Sequence, residues 1–314
     1  MKDPLGPEVK QVLMIVPNPG IFPSGGNIYN QRLMENWEQQ GLKVLQVEEM
    51  DSCSTLQLEQ TDVMFLDSLY LSASHRSFWN TLPNKKKVII FHHLDCLELD
   101  IAEQKACFKH YWSYFEQADQ ILVTSDYSKE WLDSQGISPS KIISIPPRIP
   151  WEKPVQIRAS SSLLKALIVA NLIPRKGILP FLEYLLVEMP MDSPFELQIA
   201  GSDRLDSAYA EACQAIVRKN PLLTARVKFL GEILPENMPE IYQQADMLIS
   251  ASYMETFGMA LQEAKAMGLP ILALGSQTEG GNIHTFIREE DGDRLYPDMQ
   301  GLVKGFLTNI ITQG

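Results

Sequence analysis

The string ETFGMALQE sets Glu255 and Glu263 eight positions apart, with Gly258 between them. Carboxylates accept hydrogen bonds from sugar hydroxyls and are the usual acceptors for a vicinal diol such as a ribose. Gly258 would let the loop backbone meet a phosphate. The plain alternative for Glu263 is an exposed helix residue paired with a lysine. Arg175-Lys176-Gly177 follows an apolar run and opens a helix. Two cations beside a helix start can clamp a diphosphate, each charge-assisted contact contributing about 1.5–3 kcal/mol. An isolated RKG is otherwise a solvated basic turn. Ser24-Gly25-Gly26 can offer backbone N–H groups to an anion, or be only a turn, since neither G-x-x-x-x-G-K-[ST] nor G-x-G-x-x-G is present. His92 and His93 directly follow the apolar VIIF, where a histidine can touch a substrate hydroxyl or phosphate or sit satisfied at the core edge. Gly280-Gly281-Asn282 is a further candidate for backbone contact with a ligand.

These residues need elements to hold them. Val12–Val16, Leu42–Val47, Val63–Leu66, Val88–Phe91 and Ile121–Thr124 read as short buried strands, and Asn27–Gln40 as a helix capped by Gly41. The segment IPPRIPWEKP, from Ile145 to Pro154, places four prolines in ten residues and reads as a linker. The pattern then restarts. Strands are expected at Leu167–Ala170, Glu196–Ala200, Val227–Leu230, Met247–Ser250 and Ile271–Leu274. Helices are expected at Ile178–Val187, Ala208–Arg218, Met238–Gln244 and Met259–Met267. Strands alternating with helices predict two α/β domains, residues 1–150 and 151–314, each a doubly wound parallel sheet. Ligands of such sheets bind beyond the carboxyl ends of the strands, and most of the motifs above follow strands.

Composition narrows the function. Twenty-seven basic against 39 acidic residues give a net charge of −12, which argues against a nucleic-acid partner and a polybasic membrane anchor. Lys85-Lys86-Lys87 can face a lipid surface or form a solvated turn. Cys53, Cys96, Cys107 and Cys213 are scattered without C-x-x-C, and His92, His93 and Asp95 lack metal-ligand spacing, so neither a disulfide framework nor a metal site is expected. The start, MKDPLGPEVKQ, lacks an apolar signal core, and no window approaches about 18 consecutive apolar residues. A cytoplasmic protein without a transmembrane segment is the expectation.

The span ADMLISASYMETFGMALQEAKAMGLPILAL, Ala245–Leu274, resembles the signature region of retaining glycosyltransferases of family 4, which have the two-domain GT-B fold. NLIPRKG resembles their phosphate-binding turn, LQIAG and VKFLGEI the strands that follow it, and ADQILVTSDYSKEWL and ISPSKIISIP the end of their first domain. The resemblance implies two Rossmann-like domains facing across a cleft, acceptor side first and nucleotide-sugar donor side second. It implies that Lys176 binds the donor diphosphate and that Glu255 holds the donor sugar. Phe257, Gly258 and Met259 would present backbone to sugar and phosphate, and Glu263 would bind the nucleotide ribose. Gly25 and Gly26 would approach the diphosphate, and His92, with His93 as alternative, would lie near the transferred sugar. His92, Lys176 and Glu255 are thus the implied catalytic residues. Configuration would be retained without a protein nucleophile, the leaving phosphate deprotonating the acceptor. The donor is a nucleotide diphosphate sugar such as a UDP-sugar, no metal is required, and the acceptor is a small molecule, a glycan or a lipid-linked sugar.

The sequence departs from the family pattern at four places. Asn171 stands where an arginine is usual, with Arg175 as its substitute. Pro146-Pro147-Arg148 replaces an Asn-Gly pair. The glutamate usual after GGN is missing, with His284 nearby. The family's final helices have no evident counterpart. A non-catalytic sugar-nucleotide-binding module, or one part of a larger partnered transferase, is the competing expectation. A dinucleotide-dependent dehydrogenase is disfavoured because its glycine fingerprint is absent.

Overall fold

Runs of four to six apolar residues without polar alternation require cover on both faces, which a parallel sheet flanked by helices supplies. The computed structural model describes residues 5–6, 8–18, 24–49, 53–72, 74–81, 85–149, 151, 163–275 and 281–313. The chain divides into two compact units, residues 1–147 and 148–314.

The first unit runs β1 (Gln11–Ile15), α1 (Gly25–Gln39), β2 (Lys43–Val47), α2 (Thr55–Gln60), β3 (Val63–Asp67), α3 (Arg76–Thr81), β4 (Lys86–Phe91), α4 (Ile101–Phe108), α5 (Trp112–Gln117), β5 (Gln120–Val123), α6 (Asp126–Ser134) and β6 (Ile142–Ser144). All strands are parallel, in the order β2-β1-β3-β4-β5-β6. Every residue of β1 and β3 is buried. α1 starts because Ser24, in extended conformation, accepts the Asn27 N–H at 3.1 Å. It buries Tyr29, Leu33, Met34 and Trp37 against Val12, Met14 and Phe65 of the sheet. The Tyr29 hydroxyl donates to the Ile145 carbonyl at 3.0 Å, tying the chain beyond β6 to α1.

The second unit runs β7 (Leu164–Val169), α7 (Ile178–Glu188), β8 (Phe195–Ala200), α8 (Ser207–Lys219), α9 (Pro221–Thr224), β9 (Val227–Gly231), α10 (Met238–Gln244), β10 (Met247–Ser250), α11 (Met259–Ala266), β11 (Ile271–Leu274), β12 (Arg294–Tyr296) and α12 (Met299–Gln313). Its parallel order is β12-β11-β10-β7-β8-β9. One face of the sheet packs on α7, α8 and α12, the other on α10 and α11.

The expected strands and helices are present, with boundaries shifted by a few residues. The difference lies at the end of the chain, where the sequence reading placed nothing. There β12 adds an edge strand and α12 buries Leu302, Val303, Phe306, Leu307 and Ile310 in the core. The lysine run is not a free turn. Lys86 and Lys87 begin β4, the Lys85 ammonium donates to the Glu59 carbonyl and that of Lys87 to the Trp79 carbonyl, each at 3.0 Å. Among the described residues no helix is long and apolar enough to cross a membrane, and no three His, Cys, Asp or Glu side chains gather as a metal site.

Candidate functional site

In each sheet the strand order reverses at one place. From β1 the chain goes first to β2 on one side and then to β3 on the other; from β7 it goes to β8 and β9, then returns to β10 beside β7. Connections leaving two such strands diverge to opposite faces and open a crevice at their carboxyl ends. Ser24-Gly25-Gly26 follows β1, and Arg175-Lys176 and Glu255 follow β7 and β10.

In the second unit the loop after β7 is fixed from one side by Asn171, whose Oδ1 accepts the Ser202 N–H at 3.0 Å, and by the Leu172 N–H on the Ser202 carbonyl at 2.9 Å. A 3-10 turn, Pro174–Lys176, then presents both cations. Gly177, at φ 64°, swings the chain into α7. A β-carbon there would stand 2.2 Å from the Ala251 carbonyl oxygen, so the loops after β7 and β10 pass in backbone contact. The Tyr253 N–H donates to the Arg175 carbonyl at 3.0 Å, and Arg175 Nη1 donates to the Met254 carbonyl at 3.2 Å. These ties deliver Glu255 to Lys176, whose Nζ pairs with Glu255 Oε1. The two side chains are 15% and 16% exposed, so the pair is largely withdrawn from water. Burial by itself raises the Glu255 pKa, but the Lys176 and Arg175 charges and hydrogen bonds from Lys176 and Ser252 outweigh it and hold the carboxyl below its ordinary value. Glu255, Gly258 and Ser252 help line a hollow at the carboxyl ends of β7 and β10.

The ETFG loop is itself strapped. Gly281 bridges Glu255 in parallel fashion, the Asn282 N–H donates to the Glu255 carbonyl at 2.7 Å, and Asn282 Nδ2 donates to the Phe257 carbonyl at 2.7 Å. A β-carbon at Gly281 (φ 67°) would meet the Glu255 carbonyl oxygen at 2.3 Å. Gly281-Asn282 therefore supports the loop. Gly280 lies outside the described residues. Phe257 packs edge-on against Phe286 at 5.7 Å, Gly258 caps α11 and Met259 is its first residue. Glu263 is one turn into α11 and is 7% exposed, not the exposed, lysine-paired residue of the plain reading. Its Oε2 accepts the Tyr242 hydroxyl at 2.9 Å, and burial followed by the Glu263 charge drives the Tyr242 pKa well up. His284, near the position of the missing glutamate, is exposed.

In the first unit Gly25 and Gly26 are the opening residues of α1. A β-carbon on Gly26 would lie 3.0 Å from His92 Cγ, so the glycine admits the imidazole. His92 Nε2 is 2.9 Å from Asn30 Oδ1, and Asn30 Nδ2 donates to Asp67 Oδ2 at 2.6 Å. Ser68 Oγ accepts the His92 N–H at 3.0 Å, and the Tyr29 ring meets the imidazole edge-on at 5.5 Å. Burial lowers the His92 pKa, and the Asp67 charge opposes this only in part. The ring is therefore neutral at pH 7. His93 turns instead to Glu98, at 2.8 Å. Asn30, Asp67, Ser252 and Tyr242 carry no motif that singles them out in the sequence. Asp67 carried a usable signal, a polar residue closing the apolar run VMFL.

Residues 151–294 match the family model described as Glycosyl transferases group 1. An uncharacterized glycosyltransferase of Methanocaldococcus jannaschii is 28% identical over 154 residues, 47% of this chain and 36% of that protein. The chain thus spans about a third of that relative's length. Sucrose-phosphate synthase from Thermosynechococcus elongatus superposes with a TM-score of 0.75 at 20% identity, covering 97% of this chain and 90% of the other. HepE of Anabaena, solved in complex with UDP and glucose, superposes with a TM-score of 0.69 at 15% identity, covering 97% and 91%. The fold is that seen in the GT-B glycosyltransferases, and within the second unit residues 151–294 resemble the group 1 glycosyltransferases.

Proposed function

We propose that this protein transfers a hexose from a nucleoside diphosphate sugar, a UDP-sugar in the first instance, to an acceptor hydroxyl with retention of configuration, as family 4 enzymes do. The observation that carries the reading is the Lys176–Glu255 pair at the reversal point of the second sheet. An ammonium has three N–H donors. Lys176 can keep one on Glu255 and turn another to a phosphate oxygen as the sugar–oxygen bond breaks. Arg175 adds charge to the same turn, so two side-chain cations neutralise the departing diphosphate and no metal is required. Glu255, kept ionised by those cations, accepts a hydrogen bond from a sugar hydroxyl. Glu263 is the candidate acceptor for a ribose hydroxyl. Phe257, Gly258 and Met259 line the sugar and phosphate with backbone. In this reading the second unit is the donor-binding domain, and the first, which carries His92, Gly25 and Gly26, is the acceptor-side domain. The acceptor, a small molecule, glycan or lipid-linked sugar, is deprotonated by the leaving phosphate.

Asn171 favours the alternative of a binding module, because its amide is committed to Ser202 and it brings no charge to the phosphate turn. Incubation with UDP-sugars and GDP-sugars and a panel of acceptors separates the two. Product with retained anomeric configuration supports the transferase; donor binding without transfer or hydrolysis supports the module.

A further inference from the structure

We propose that Asn30 and Asp67 are positioning residues that hold His92 as the tautomer protonated on Nε2, so that the ring meets its ligand as a hydrogen-bond acceptor through Nδ1 and selects a hydroxyl over a phosphate oxygen. Asp67 anchors the arrangement. Its carboxylate is fully buried. Oδ1 accepts the Leu69 N–H at 2.9 Å and Oδ2 accepts Asn30 Nδ2 at 2.6 Å. Both Asp67 oxygens accept here, so the Asn30 amide turns its NH2 to Asp67 and its carbonyl away. That carbonyl oxygen lies 2.9 Å from His92 Nε2 and also only accepts, so Nε2 must carry the hydrogen. A neutral imidazole has one N–H, which leaves the Nδ1 lone pair as the polar group the ring offers.

The surroundings hold this arrangement in place. Asn30 is 1% exposed and lies on the buried stripe of α1. Ser68, next to Asp67, accepts the backbone N–H groups of both His92 and His93, at 3.0 and 3.3 Å. Gly26 and Tyr29 confine the ring from α1. Among the described residues Nδ1 makes no hydrogen bond within the protein. A lone pair attracts a hydroxyl hydrogen and repels a phosphate oxygen, so His92 is suited to a sugar or acceptor hydroxyl rather than to the diphosphate.

The identity of that hydroxyl rests on the transferase reading; the tautomer does not. The test is a long-range 1H–15N correlation spectrum of the full chain labelled on histidine nitrogen, with the His92 signals identified as those lost in His92→Gln. The expected wild-type pattern has Nε2 protonated and Nδ1 bearing a lone pair. In Asp67→Asn the new amide donates where the carboxylate accepted. The Asn30 amide then turns over, and the hydrogen moves to Nδ1. Asn30→Ala should show averaged nitrogen shifts and a kcat/KM reduced about tenfold or more, as when a partner that orients a functional histidine is removed. A wild-type hydrogen on Nδ1, an Asp67→Asn spectrum unchanged from wild type, or an Asn30→Ala variant with full kcat/KM would each overturn the proposal. Should Asp67→Asn not fold, the wild-type and Asn30→Ala spectra decide. Absence of any transfer by the wild type would instead count against the transferase reading and leave the spectra standing.

Discussion

Lys176 and Glu255 hold each other in a setting where neither is easily replaced. Removing one partner leaves the other charge poorly hydrated, and truncation of such a pair costs about 2–5 kcal/mol. At about 1.4 kcal/mol per tenfold, Lys176→Ala should lower kcat/KM for sugar transfer by roughly 30-fold to several thousand-fold. Glu211, paired with Arg218 on the surface of α8, is the control, and Glu211→Ala should leave transfer unchanged. Acid should destabilise the protein through two of the site residues. Glu255 has a folded-state pKa below its ordinary 4.5, so its stabilising contribution is complete above that value and is lost as pH falls through the folded one. His92 is also depressed, from 6.5, so below that pH the unfolded chain binds the proton more readily and stability falls with it. Urea midpoints measured from pH 7.5 to 5 should therefore decline. The decline should be shallower in His92→Gln, in slope rather than in absolute stability; an unchanged slope would mean that His92 is not buried in its neutral form.

The elements show what the sequence could reveal and what it could not. Strands such as Met247–Ser250 and Ile271–Leu274 were legible because a wholly apolar run has one economical place, the middle of a parallel sheet. The same reasoning trimmed functional residues from strand ends. Asp67 breaks the apolar run and so reads as lying outside β3, yet it ends that strand and anchors the His92 network. Lys86 and Lys87, polar residues ahead of the apolar VIIF, hide the start of β4 in the same way. α12 went unread because Gly301 and Gly305 dilute its pattern, although Leu302, Val303, Phe306, Leu307 and Ile310 follow helical spacing. Partnerships such as Glu263 with Tyr242 join distant elements, and no local spacing encodes them. The Lys176–Glu255 pairing was accessible only through the resemblance. The close passage at Gly177 carries its own prediction. Gly177→Ala must accommodate a positive φ and a carbonyl 2.2 Å from the added carbon, so it should lower the urea midpoint by the equivalent of more than about 1 kcal/mol and weaken donor binding as well. A midpoint equal to wild type would show that the two loops do not meet as described.

At the scale of the whole molecule, each unit has its own sheet and its own buried clusters. Residues 148–314 alone should therefore unfold cooperatively and retain nucleoside diphosphate binding, read by calorimetry and thermal shift; loss of binding in a folded fragment would assign essential donor contacts to the first unit. The net charge of −12 offers an anionic donor no general attraction, so the proposed transferase has to draw its donor affinity from the few cations at the reversal point of the second sheet. Binding at a hundredfold excess over Kd stabilises by about 2.7 kcal/mol, enough to identify the preferred base among UDP, GDP, ADP and TDP. The most direct measurement is then calorimetric titration of that diphosphate into wild type, Lys176→Ala and Glu211→Ala. The predicted result is saturable binding to wild type and Glu211→Ala, with affinity reduced at least 30-fold in Lys176→Ala. Equal affinity in all three would contradict the assignment of Lys176 to the departing diphosphate and, with it, the transferase account.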